Sequence, residues 1–190
     1  MDLNKTKNII SKAAVDIFSK KGYEGATMED IALTGGLAKG TLYYHFKSKE
    51  EIFNYIIKIG MDIIKEDIIE ATEKESNPIL KLRALCKIQL QSVYKYKDFF
   101  KVVMSQLWGQ EIRQVEIRDS LSDYISILEG YLKEAIDNGI LKKGNPAFMA
   151  HLFLGVLMSA SIYELLNAKD PDIEELLDSL MNYILRGIEI

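Results

Sequence analysis

The sequence has little of the chemistry that builds disulfides or metal sites. It holds one cysteine, Cys86, so no intrachain disulfide can form, and a reducing, cytoplasmic setting is expected. Two histidines, His45 and His151, stand far apart without a cysteine cluster, so neither a zinc site nor any cofactor is expected. The longest apolar stretch, Ala147 to Ile162, is interrupted by His151, Ser159 and Ser161. It falls short of the ~20 residues a membrane span needs, and a buried helix or a subunit interface is the better reading. The opening MDLNKTKNII lacks an extended apolar core and a cleavage site, so it is not read as a secretory signal. No nucleophile with a nearby base and no metal motif appears. Lys39-Gly40-Thr41 behind Gly35-Gly36 has the wrong order for a phosphate loop, and no strand precedes it. No catalytic residue is assigned, and the chain is not read as an enzyme.

What is present is an ordinary globular balance, 48% hydrophobic and 27% charged, which argues against disorder. The net charge of -4 is unevenly spread. Residues 1–50 carry eight Lys/Arg and six Asp/Glu, for +2, and residues 51–190 carry sixteen and twenty-two, for -6. A mildly basic head sits on an acidic body.

The periodicity is helical throughout. Ile9, Ile10, Ala13, Ala14, Ile17 and Phe18 share one helix face, as do Leu121, Tyr124, Ile125, Leu128, Tyr131, Leu132, Ala135 and Ile136. Ile173, Leu176, Leu177, Leu180, Met181, Ile184 and Ile188 repeat the pattern. No period-two alternation or hairpin turn signal is sustained. Gly22 and Asn138-Gly139-Ile140 read as helix stops. The three prolines, Pro78, Pro146 and Pro171, stand at helix starts, where a missing N–H costs nothing. Helices are expected near 4–21, 28–34, 38–46, 49–75, 78–96, 98–107, 110–138, 146–167 and 171–188. A boundary is placed inside the 49–75 helix, which would belong to both parts, with the head taken as 1–48 and the body as 49–190.

Residues 27–46 form a candidate helix-turn-helix. Thr27 and Asp30 can make a capping box, and Gly35-Gly36 permits a sharp turn. In the next helix Ala38, Leu42 and Phe46 fall on one face, expected to pack against Ile17, Phe18, Ile31 and Ala32. The remaining faces carry Lys39, Gly40, Thr41, Tyr43, Tyr44 and His45, with Lys47 and Lys49 just beyond. Cations, hydroxyls and phenols on a short exposed helix suit the major groove of DNA. Gly40 allows close backbone approach. Ser48-Lys49-Glu50-Glu51 is a second capping box. Thr27, Lys39, Gly40, Thr41, Tyr43, Tyr44, His45, Lys47 and Lys49 are the candidate DNA-binding residues.

Thr27-Met28-Glu29-Asp30-Ile31-Ala32 followed by Lys39-Gly40-Thr41-Leu42-Tyr43-Tyr44-His45-Phe46-Lys47-Ser48-Lys49-Glu50-Glu51-Ile52-Phe53 resembles the N-terminal region of TetR-type transcriptional regulators. The match spans about residues 9–53. It departs from the usual Ala-Gly-Val-Ser turn, since Gly35-Gly36-Leu37-Ala38 stands there. Ala38 lacks a capping hydroxyl, a loss of about 0.5–2 kcal/mol at a true cap. The resemblance implies an all-α fold: a three-helix DNA-binding head, a connecting helix, and a helical body that binds ligand and dimerises. It also implies a homodimer on a palindromic double-stranded operator, acting as a repressor and released by a small-molecule effector. A helical carrier or enzyme with a vestigial head, a regulator controlled by a protein partner, and an activator stay open as alternatives.

Over the whole chain, ten tyrosines against one tryptophan is a high count of polar-tipped aromatics. Tyr94, Phe99, Phe100, Met104, Trp108, Tyr124 and Tyr131 are candidates to line a ligand pocket, although each taken singly fits a core role. The candidate dimer face comprises Phe148, His151, Leu152, Gly155, Ser159 and Tyr163, with Leu177, Met181 and Ile184. Small Gly155 and Ser159 allow close helix approach. Cys86, among leucines, reads as a small buried hydrophobe.

Overall fold

The computed structural model describes residues 3–107, 111–167 and 172–186. Trp108 lies outside them. Among the described residues there are nine helices: α1 (Leu3–Gly25), α2 (Met28–Thr34), α3 (Lys39–His45), α4 (Lys49–Glu73), α5 (Pro78–Lys95), α6 (Lys97–Ser105), α7 (Ile112–Asp137), α8 (Pro146–Asn167) and α9 (Ile173–Arg186). The all-α expectation holds, and most helix ends fall within a few residues of the sequence-based ones. One stop differs in kind. Gly22 takes φ 72° and ψ 166°, yet helical turns resume beyond it to Gly25, so it kinks the helix that it was expected to end.

The chain forms two compact units. The first takes the chain up to Asp62 together with the described part of Tyr96–Ser120, and the second takes Ile63–Lys95 and the chain from Leu121 onward. α4 and α7 therefore contribute to both. Within α4 the division falls between Asp62 and Ile63.

The first unit is built on the apolar faces of α1 and α4. Ile10, Ala14, Phe18, Ile31, Leu42, Phe46, Ile52 and Phe53 are almost wholly buried. Phe18, Tyr23 and Phe53 stack their rings 5.1–5.8 Å apart, a tilted and edge-to-face cluster that closes the end of α1 on α4. Ala38, expected in this core, is exposed because it is the extended N-cap of α3, with ψ 141°. α6 packs on α1 in the same unit. Its Phe99 ring lies against Gly60 of α4 so closely that a Cβ there would fall inside the ring's van der Waals envelope.

In the second unit, α5 packs on α8 and α9 through Leu82, Leu85 and Leu90 of α5, Phe153 and Leu157 of α8, and Leu177 and Leu180 of α9, all buried. Arg83 Nη2 donates to Glu174 at 3.0 Å and Asp178 at 2.5 Å, and Lys87 also pairs with Glu174. These surface pairs set the register of α9 more than they stabilise it. α7 ends in a Schellman motif, with Gly139 at φ 69° and Ile140 N donating to Ala135 O at 2.9 Å.

α8 is apolar on every side, the pattern of a helix covered all round. Among the described residues only one face is covered within the chain, by Ala150, Phe153, Leu154 and Leu157. The other presents Phe148, Leu152, Val156, Ile162, Tyr163 and Leu166, all exposed. Gly155 and Ser159 lie along that stripe, and a Cβ on Gly155 would meet nothing within 4 Å. Of the α9 dimer-face candidates, Leu177 and Met181 belong to the protomer's own core, because the inward stripe of α9 is Leu177, Leu180 and Met181. Ile184 is half-buried, and Tyr183 stands 76% exposed.

Gly60→Ala is expected to destabilise the protein by about 1–3 kcal/mol through overpacking. Phe99→Leu should restore most of that loss, and thermal melts of the two single variants and the double variant measure it.

Candidate nucleic-acid interface

The candidate interface begins at the cap of α2. Thr27 is extended, and its hydroxyl accepts from Asp30 N at 3.1 Å, while the Asp30 carboxylate accepts from Thr27 N at 3.1 Å. Lys21 Nζ holds the other carboxylate oxygen at 2.8 Å. Lys21 and then Thr27, by hydrogen bonding, hold the Asp30 carboxyl below its ordinary value. The Thr27 side chain, a candidate for DNA contact, is thus already engaged in holding α2.

The turn after α2 is a second Schellman motif. Gly36 takes φ 62° and donates to Leu33 O at 3.1 Å, and Leu37 N donates to Ala32 O at 2.9 Å. Of the two adjacent glycines only Gly36 needs its conformational freedom; Gly35 has φ -75°. The turn redirects the chain into α3, whose N-cap, Ala38, makes no side-chain cap.

Seven residues are too few for a helix to persist alone, so burial must hold α3. Leu42 is fully buried and Phe46, its C-cap, nearly so. With that side anchored, Lys39, Gly40, Tyr43 and Tyr44 are exposed, Lys47 follows on the same surface, and Thr41 and His45 are half-buried. Tyr44 is the most exposed aromatic of the group at 71%, and its ring meets His45 edge-on at 5.2 Å. Gly40 has no neighbour within 4 Å of where a Cβ would stand, so nothing inside the chain calls for glycine there.

The cations have partners of their own. Lys39 pairs with Glu29 of α2 and lies 5.8 Å from the Tyr43 ring centre. That hydrogen bond raises the Lys39 pKa and lowers that of Glu29. Lys47 Nζ donates to Tyr43 O at 2.9 Å, at the carbonyl end of α3. Lys49 is half-buried, donates to Tyr23 O at 2.6 Å and lies 4.3 Å from the Tyr23 ring centre. It clamps the end of α1. The α4 cap also differs from the expected box. Ser48 Oγ accepts from Glu51 N at 3.1 Å, but the Glu51 carboxylate accepts from Lys47 N at 2.6 Å, one residue further back.

Lys7 was missed in the sequence. It lies 5.5 Å from the Phe46 ring centre and 5.1 Å from that of Tyr55, a cation between two rings at the foot of α3. Only the rings' positions in the fold reveal it, since the three residues are scattered along the chain.

The pocket candidates divide between the units. Phe99, Phe100 and Met104 belong to the first, where the two phenylalanines are buried and meet edge-on at 5.9 Å. Tyr94, Tyr124 and Tyr131 belong to the second. Tyr124 is buried, and Tyr131 shares a 2.7 Å hydrogen bond with Thr72. His151 is exposed on α8, with Nδ1 2.8 Å from Ala147 O.

Comparison with known proteins agrees with this arrangement. The family described as "Bacterial regulatory proteins, tetR family" matches residues 10–56. A solved Clostridium perfringens putative fatty acid metabolism regulator is 43% identical, covers 96% of this chain and 99% of its own, and superposes with a TM-score of 0.87. The fatty acid metabolism regulator protein of Bacillus subtilis is 29% identical over 185 residues, 94% of this chain and 93% of that protein. The structure of FadR from Bacillus subtilis in complex with stearoyl-CoA is 24% identical, covers 95% of this chain and 98% of its own, and shares the fold with a TM-score of 0.83.

Two outcomes are expected. Tyr43→Ala should weaken DNA binding in a fluorescence-anisotropy titration without changing the oligomeric state; unchanged affinity would mean that α3 presents a different face. Asp30 has a lowered carboxyl pKa, so its contribution to stability is present above the ordinary value of 3.8 and is lost as pH falls through the folded value. Asp30→Asn should therefore melt lower than the wild type at neutral pH, with the gap narrowing below pH 3.8.

Proposed function

The chain belongs to the tetR family of bacterial regulatory proteins, and we propose that it is a homodimeric repressor of fatty-acid-related genes, released from its operator by a long-chain acyl-CoA. It is a DNA-binding transcriptional regulator. The observation that carries the reading is the exposed surface of α3, where Lys39, Gly40, Tyr43 and Tyr44 stand outward on a helix anchored by Leu42. Residues 1–48 serve as the DNA-binding head and residues 49–190 as the body that binds effector and dimerises.

The groove-reading residues are Lys39, Gly40, Thr41, Tyr43, Tyr44 and His45. Thr27, Lys47 and Lys49 stand near helix starts, beside the DNA backbone. The uncovered stripe of α8, from Phe148 through Leu152, Gly155 and Ser159 to Tyr163, meets its copy in the partner, with Tyr183 of α9 beside it. An apolar stripe of this length stays unpaired at a cost in solubility, and an isologous contact removes it. Two-fold symmetry then sets two copies of α3 on half-sites about 34 Å apart, one turn of DNA. The protein works in the cytoplasm, where its operator lies.

The acyl-CoA assignment is supported by the relatives: two are named as regulators of fatty acid metabolism, and one with the same fold was solved with stearoyl-CoA. An apolar helical body suits a long alkyl chain. The effector favours a state in which α4 shifts the head and the two copies of α3 no longer match the groove spacing. Inverting a 99:1 preference takes about ten-thousand-fold tighter binding to the released state.

Selection from a random duplex library should enrich a palindrome bound with a steep salt dependence. Stearoyl-CoA should release the protein from that duplex, and coenzyme A alone should not. Enrichment without release by any acyl-CoA would leave a DNA reader and remove the effector assignment. No enrichment by a folded dimer would remove the operator assignment as well.

A further inference from the structure

Two phenols seven residues apart on one face of α7 are treated oppositely. Tyr131 Oη is 2.7 Å from Thr72 Oγ1, which itself donates to Ile68 O at 2.8 Å. Tyr124 is 6% exposed, and its hydroxyl oxygen is fully enclosed without a hydrogen-bond partner. Among the described residues Asn54 Oδ1, in the first unit, is the one other buried side-chain polar atom in that condition. A buried donor without an acceptor is costly and calls for a reason.

Packing supplies none. Phenylalanine fills the same space without the hydroxyl. Leu128 and Leu132 continue the buried face of α7, and Cys86 of α5 is buried in the same unit. Cys86 lies within electrostatic reach of Tyr124, and a thiol is a weak hydrogen-bonding group. Burial pushes the Tyr124 phenol well above its ordinary range, so it keeps its proton and remains a donor. Arg83, the cation that influences Cys86, is engaged by Glu174 and Asp178. A neutral acceptor at the end of an apolar chain matches these surroundings. A carboxylate would be buried there without a cation of its own.

We propose that the Tyr124 hydroxyl is the donor that recognises the thioester carbonyl of the acyl-CoA effector. The assignment rests on the effector reading above. It adds the atom that is recognised, and it explains why a thioester would be preferred over a free fatty acid.

The test is a calorimetric cycle on the full chain. Stearoyl-CoA and its thioether analogue, in which a methylene replaces the carbonyl, are each titrated into the wild type and Tyr124→Phe. The wild type should favour the thioester about tenfold or more, the range of one buried hydrogen bond. Tyr124→Phe should bind the two ligands alike, lose thioester affinity by the same factor, keep its operator affinity, and melt higher than the wild type in the absence of ligand, since an unpaired buried hydroxyl is removed. If the variant retains the thioester preference, or the wild type shows none, the tyrosine assignment falls while the effector reading stands. If the wild type binds neither ligand, the effector reading falls and takes this assignment with it.

Discussion

Burial of Leu42 is the constraint on which the exposed surface of α3 depends. α3 has seven residues and an alanine N-cap, so neither length nor capping sustains it. It is helical because Leu42 and Phe46 are enclosed and because Gly36 aims the chain at that enclosure. Each outward residue of α3 inherits its direction from that inward anchor. The capping network of Thr27, Asp30 and Lys21 does the same for α2. The recognition surface is therefore rigid through what lies behind it.

The body follows a different logic. α8 is too apolar for a surface helix and too exposed for a core helix within one chain. The proposed contact with a second copy reconciles those two facts. α4 is one helix that contributes residues to both units. Phe99 seated on Gly60 adds a contact by which α6 follows α4 in the first unit.

Much of this was legible in the sequence, because helical periodicity, glycine stops and the 27–53 motif are local signals. The outward set on α3 followed once Leu42 and Phe46 were placed inside. What was not legible depends on contacts between distant segments. α6 reads as a body helix by position, yet it packs on α1. Leu177 and Met181 share a stripe that periodicity marks as apolar without saying which apolar neighbour covers it. Thr27 and Lys49 carry the right chemistry for phosphate, while the fold already employs them at a cap and at the end of α1. Gly22 has the residue type of a stop, but only the backbone shows that the helix resumes.

The pairing of Lys39 with Glu29 has a consequence for the search along a genome. A phosphate that takes Lys39 must displace a carboxylate already bound to it, so the contact exchanges one anion for another. Glu29 is then left facing the polyanion. Indiscriminate attraction to DNA is muted, in keeping with an acidic protein of net charge -4.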